Sequence, residues 1–235
     1  MIKLKSKKIK FYTHTGTLRG ERITVMSTGI GTENIDIVMN ELDALVNIDL
    51  DKKEFKKEHT ALQLFRLGTC GSVNPDVEVD NMLVSENVVG LDGLLHFYID
   101  YDFENEFSKN FLEKFPYEKI KPLLYFSEWT ASQYEYFKDA KYVGNTATFP
   151  GFYAPQGRQL RLKSTDDQFL EVLNDLGVTN FEMETSAIYG LSKLLGHKAI
   201  TINNVIANRR RGEFAADHHQ SEKMMIEWVL ERVIK

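Results

Sequence analysis

The chain has a single cysteine, Cys70, among 235 residues. No intrachain disulfide can form, and no cysteine-rich zinc site exists. Its five prolines are scattered and mark no linker or domain boundary. No stretch reaches the roughly 18 uncharged apolar residues that a membrane-spanning helix needs. The opening segment MIKLKSKKIKFYTHTG has lysines but neither an apolar core nor a small-residue cleavage site, unlike a secretory signal. An excess of positive charge is also lacking, since 29 basic and 34 acidic residues give a formal net charge of −5. That balance disfavours a partner held through its phosphate backbone. Neither a nucleic-acid nor a membrane partner is expected, and the expected location is the cytoplasm.

What is present is an ordinary globular mix, with 43% apolar and 27% charged residues. The length suits one large domain with a substantial core. Basic residues cluster at Lys3 to Lys10 and at Arg209-Arg210-Arg211. The first cluster reads as a solvated strand edge, where lysine discourages edge pairing.

Hydrophobic spacing alternates between strand and helix. Arg22 to Ser27 is a β-rich run ending at Thr28-Gly29-Ile30-Gly31. Glu33 to Asn47 places Ile35, Val38, Met39, Leu42 and Leu45 at helical spacing. Leu62 to Leu67 predicts a strand ending at Gly68-Thr69-Cys70-Gly71, and Met82 to Ser85 another after the turn Asn74-Pro75-Asp76. Further strands are expected at Leu123 to Phe126, Tyr142 to Thr148 and Ala199 to Ile206. Helices are expected at Asp166 to Leu176, Glu184 to Leu195 and Ser221 to Ile234. The pattern predicts a single-domain α/β fold with a mixed central β-sheet flanked by helices. Glycine-rich strand ends either bring backbone N–H groups close to an anion or serve only as turns. Neither matches a dinucleotide-binding fingerprint or a Walker loop.

Five segments, in order, carry a family resemblance: Val25 to Gly31; Phe65 to Ser72 with Leu91-Asp92-Gly93; Phe152-Tyr153-Ala154-Pro155-Gln156-Gly157-Arg158; Asn180 to Thr185; and Val205 to Arg209. Together they resemble the uridine phosphorylase branch of the nucleoside phosphorylases across about Phe11 to Arg211. The resemblance implies phosphorolysis of uridine to uracil and ribose 1-phosphate. Inorganic phosphate would be the co-substrate, with no organic cofactor and no metal, in a homo-oligomer, either a dimer or a hexameric ring of dimers. Such a reaction places positive charge on the ribose and negative charge on the departing base. Three sub-sites are needed.

The resemblance assigns phosphate to Arg66 and Thr69. Arginine offers a bidentate fork, although Arg66 also reads as an ion-paired residue inside an apolar strand. Ribose falls to Glu182, Met183, Glu184 and Thr69, and the two glutamates also sit where a helix begins. The base falls to Gly71, Phe152, Gln156, Arg158 and Ile206. An amide both donates to and accepts from a pyrimidine edge. Purine-cleaving relatives place an acid near Ile206-Ala207, and Asn203 to Arg209 contains none. Arg66, Gln156, Arg158 and Glu184 are the expected catalytic set. Cys70 reads as a small pocket-lining residue, and His218-His219 lacks zinc-motif spacing.

The sequence departs from that family at its start. Members open with a strand and a Gly-Asp-Pro-x-Arg loop that binds phosphate, and the resemblance here begins beyond it. Where relatives have an Arg-Glu pair, this chain has Ile9-Lys10, with Lys8 or Lys10 as partial substitutes. The expectation is therefore a weakened phosphate site, with a nucleosidase or a nucleoside-binding paralogue as the alternatives.

Overall fold

The computed structural model describes residues 11–99, 101–164, 166 and 168–234. The cluster from Lys3 to Lys10 lies outside the described residues. In chain order the elements are β1 (Thr13–Leu18), β2 (Glu21–Met26), α1 (Thr32–Asn47), β3 (Ile48–Asp49), β4 (Glu54–Phe55), β5 (Gln63–Ser72), β6 (Met82–Gly90), α2 (Glu106–Lys114) and β7 (Tyr125–Glu128). They continue with α3 (Ala131–Tyr134), β8 (Tyr142–Thr148), α4 (Phe169–Asp175), β9 (Val178–Glu182), α5 (Thr185–Leu194), β10 (Lys198–Asn208), β11 (Glu213–Phe214) and α6 (His218–Val233).

Among the described residues, the main sheet has seven strands in the order β11-β10-β5-β9-β8-β6-β7. It is mixed, as expected. It also closes on itself, because β10 pairs with β6 as well as with β5. Strands β5 and β10 run one way, and β9, β8 and β6 run the other. The interior of this ring is polar. Arg66 on β5 donates to Asn203 on β10, and Asn203 donates to Ser85 on β6. Thr146 on β8 donates to Ser85 and also contacts Asn180 on β9. One hydrogen-bonded chain therefore visits all five ring strands. Buried polar groups demand such partners, and each bond here ties two strands together.

The apolar faces turn outward onto the helices. Phe111, Phe126, Phe149, Phe169 and Phe181 form one buried cluster, and Ile200, Ile202, Met225 and Val229 form another under α6. Helix α5 is buried from Thr185 to Ser192. Helix α1 buries Ile35, Val38 and Met39, whereas Leu45, expected on the same face, is 61% exposed.

Two sequence expectations change. The run from Arg22 to Met26 lies in a separate hairpin with β1, outside the main sheet. The segment Gly68 to Gly71 is not a turn but the continuation of β5, in register with β10 as far as Ser72↔Asn208. Its glycines serve close approach instead. A methyl group at Gly68 would lie 2.5 Å from Arg66 Nη1, and one at Gly71 would lie 2.6 Å from the Phe181 ring. The same holds at Gly90, where an added methyl would overlap the Tyr125 ring. That ring cannot turn away, since its hydroxyl is bonded to Asp92 and Ser186. Gly90→Ala is expected to cost about 1–3 kcal/mol through overpacking. Thermal unfolding should show a midpoint lower by several degrees, and an unchanged midpoint would contradict this packing.

Candidate active site

Arg66 lies in β5, flanked by apolar strand residues, and its side chain is 13% exposed. Three acceptors meet its guanidinium. Nη1 donates to Asn203 Oδ1 at 2.7 Å, and Nη2 lies 2.5 Å from Glu184 Oε2 and 3.0 Å from Glu182 Oε2. Burial works against its charge, but the two carboxylates outweigh that and hold its pKa above the usual arginine value. The absence of a side chain at Gly68 makes the space into which the guanidinium folds.

The two glutamates are held differently. Glu182 ends β9 and accepts from the Thr148 hydroxyl at 2.7 Å, from the Glu184 N–H at 2.9 Å and from the Thr185 N–H at 2.9 Å. It satisfies the first free donors of α5, while Thr148 Oγ1 accepts from the Ser186 N–H at 3.0 Å. Among the described residues, Glu184 has two partners, Arg66 and the Gly31 N–H, the latter 2.7 Å from Oε1. Burial, then the neighbouring Glu182, raises the Glu184 pKa above its ordinary 4.5, and Arg66 opposes that shift.

A second group gathers after β8. Arg158 lies over the Phe152 ring, 3.8 Å from its centroid, donates to the Phe152 carbonyl at 2.9 Å and bonds the Gln156 Oε1. Gln156 is buried, whereas Phe152 is half exposed. Burial, then the charge of Arg209, lowers the Arg158 pKa. The segment bearing this group leaves β8 at Thr148, which is in register with Glu182, and the Phe149 N–H donates to the Glu182 carbonyl at 2.8 Å. The two groups thus grow from adjacent strand ends. Among the described residues, no side-chain bond joins them.

Of the remaining expected residues, Gly71 lies against Phe181, and Ile206 sits at the bulge in β10 between Val205 and Ala207. Thr69 and Met183 are half-buried, and the Thr69 hydroxyl has no protein partner among the described residues. Cys70 is buried and its thiol pKa is pushed up to about 12, so it stays protonated. Arg210 and Arg211 pair on the surface with Glu171 and Glu213. Sequence reasoning missed Asn203, Thr148 and the Gly31 N–H. The signal for Asn203 was a pair of asparagines inside the apolar run AITINNVIA, since a buried strand amide needs a partner.

Asp43, His59 and His197 present possible metal-ligand atoms within 4.8 Å of one another. The Leu62 N–H points at His197 Nδ1 from 3.3 Å, which leaves the ring proton on Nε2 and takes that atom out of a ligand set. Nε2 lies 3.3 Å from Asp43 Oδ1.

Strands and helices in this closed, mixed arrangement are the fold of the nucleoside phosphorylases. A solved Trypanosoma brucei nucleoside phosphorylase that shows uridine phosphorylase activity superposes with a TM-score of 0.82 at 26% identity, over 99% of this chain and 86% of that one. The chain belongs to the phosphorylase superfamily, whose family description matches residues 2–235. It is an enzyme of the pentosyltransferase class. Among its relatives, the uridine phosphorylase of Thermococcus kodakarensis is 26% identical over 230 residues, covering 93% of this chain and 73% of that protein. A DeoD-type purine nucleoside phosphorylase of Oceanobacillus iheyensis is 28% identical over 234 residues, covering 95% of this chain and 81% of that protein. Among the described residues, no helix is long and apolar enough to cross a membrane.

Two outcomes follow from the buried charges. Arg66→Met leaves Glu182 and Glu184 without their cation. The expected loss is about 3–5 kcal/mol at neutral pH, read by urea unfolding. The deficit should shrink in mild acid as Glu184 takes up a proton, and a variant as stable as the parent would contradict the pairing. His197 is held below its usual 6.5, first by burial. Its contribution to stability is therefore complete above that value and is lost as the pH falls through its lower folded value. Unfolding curves between pH 7 and 5 should fall less steeply for His197→Asn than for the parent; equal slopes would remove His197 as the cause.

Proposed function

We propose that this enzyme cleaves a pyrimidine nucleoside, uridine, with inorganic phosphate, giving uracil and ribose 1-phosphate. The observation that carries this reading is the pairing of two chemistries at adjacent strand ends. Arg66 with Glu184 supplies a cation and a carboxylate, and Gln156 with Arg158 supplies an amide and a second cation over an aromatic ring. Arg66 and Thr69 serve the phosphate. Glu184 accepts from the sugar hydroxyls and faces the charge growing on the ribose, and Met183 lines that side. Glu182 positions Glu184 and Arg66.

On the other side, the base leaves with negative charge. Arg158 is partly buried and faces Arg209, so its environment favours an incoming anion. Phe152 stacks on the ring, Gln156 reads its edge, and Gly71 and Ile206 bound the space. A purine departs best when protonated, and Asn203 to Arg209 offers no acid for that step. This composition favours uridine over the purine nucleosides named for some relatives. The reading carries with it a homo-oligomer, a dimer or a hexamer, in the cytoplasm, with no organic cofactor.

Incubation with uridine should release uracil and ribose 1-phosphate only when phosphate is present. Inosine should react at least tenfold more slowly. Arg158→Ala should lower kcat/KM by about 100-fold, the usual loss for one donor aimed at developing charge. Faster inosine cleavage would overturn the substrate, and free ribose without phosphate would identify water as the acceptor.

A further inference from the structure

The Glu184 carboxylate is gripped as a bound oxyanion would be. One oxygen accepts from the Gly31 N–H at 2.7 Å and the other from Arg66 Nη2 at 2.5 Å. Gly31 has φ 97 and precedes the 16-residue helix α1, so its N–H belongs to the positive end of that helix. A guanidinium and a helix-terminal N–H converging on one carboxylate make a cradle for any small tetrahedral or planar oxyanion.

We infer that this cradle is the phosphate seat, that Gly31 is one of its donors, and that Glu184 occupies it in the empty enzyme and must leave when phosphate arrives. The inference rests on the reading of Arg66 as a phosphate ligand. Charge makes the two occupants exclusive. Arg66, Glu182 and Glu184 together already carry one excess negative charge in a buried place, and a phosphate dianion beside both carboxylates would meet strong repulsion. Glu182 cannot be the one that leaves, because the Thr148 hydroxyl and two N–H groups of α5 hold it in addition to Arg66. Glu184 depends on the two donors that the phosphate itself would take. Displaced from them, its carboxylate becomes available to the sugar hydroxyls. Phosphate entry therefore frees the sugar-binding group, and the two substrates bind with positive coupling.

The test is equilibrium binding of inorganic phosphate by calorimetry to the full chain and to Glu184→Gln and Glu184→Ala. Removing a competing like charge should tighten phosphate binding about tenfold or more in both variants, although both lose turnover. Glutamine keeps the side-chain volume, and circular dichroism verifies the fold of each variant. In the parent, saturating sulfate, an oxyanion that cannot react, should tighten uridine binding. Unchanged or weaker phosphate binding in the folded variants overturns the proposal. If phosphate tightens as stated but no nucleoside is cleaved by the parent, the cradle stands and the proposed reaction falls. If the parent turns over uridine and the variants bind phosphate no better, the reaction stands and the displaced carboxylate falls.

Discussion

One guanidinium between two carboxylates organises this molecule. Arg66 is nearly dry and could not stay charged in a strand without partners. Glu182 and Glu184 supply them, and they can do so only because β9 ends where α5 begins. Glu182 is committed to the free N–H groups of that helix, and this commitment fixes its neighbour two residues on. The ion pair and the helix start are thus one structure. The Arg66 bond to Asn203 extends the constraint to β10, and through Ser85 and Thr146 it reaches every strand of the closed ring.

This arrangement divides the labour between two residues that look alike in sequence. Glu182 is saturated with donors and serves as scaffold. Glu184 is lightly held, and burial beside a like charge pushes its pKa upward. A carboxylate in that condition gains from hydroxyl donors or from an adjacent cation, which is what a ribose carrying positive charge offers. At the neighbouring strand end the balance is opposite in sign. The charge of Arg209 acts on Arg158, with no acid in the Asn203 to Arg209 stretch, a setting that suits an anion. Under the proposed reaction, the first group would stabilise the cation and the second the anion.

The sequence announced the long periodic elements well. The helix from Glu33 to Asn47 and the strand from Tyr142 to Thr148 emerged near their observed limits, because burial of one face leaves a clear period. Strands β1 and β9 and helix α2 were not legible. Val178–Glu182 is five residues long and carries Thr, Asn and Glu, whose burial depends on partners far away in the chain. Closure of the sheet was equally hidden, since it depends on a polar lane of Ser85, Thr146, Asn180 and Asn203 that local hydrophobicity scores as surface. The glycines at 68 and 71 read as a turn because their true neighbours, the Arg66 guanidinium and the Phe181 ring, are visible only in three dimensions. Motif order pointed to Arg66, Glu184, Gln156 and Arg158, but neither to the Gly31 N–H nor to the unequal holding of the two glutamates.

Under the proposed function, the Arg66–Glu184 group and the Gln156–Arg158–Phe152 group are halves of one nucleoside site. The most direct measurement is a crystal structure of the chain with uridine and sulfate, which cannot react. A single uridine is expected, with its sugar hydroxyls on Glu184, its uracil edge on Gln156 and Arg158, and sulfate on Arg66. A uridine bound away from these residues, or touching one group with the other turned from it, would separate the two groups into different sites.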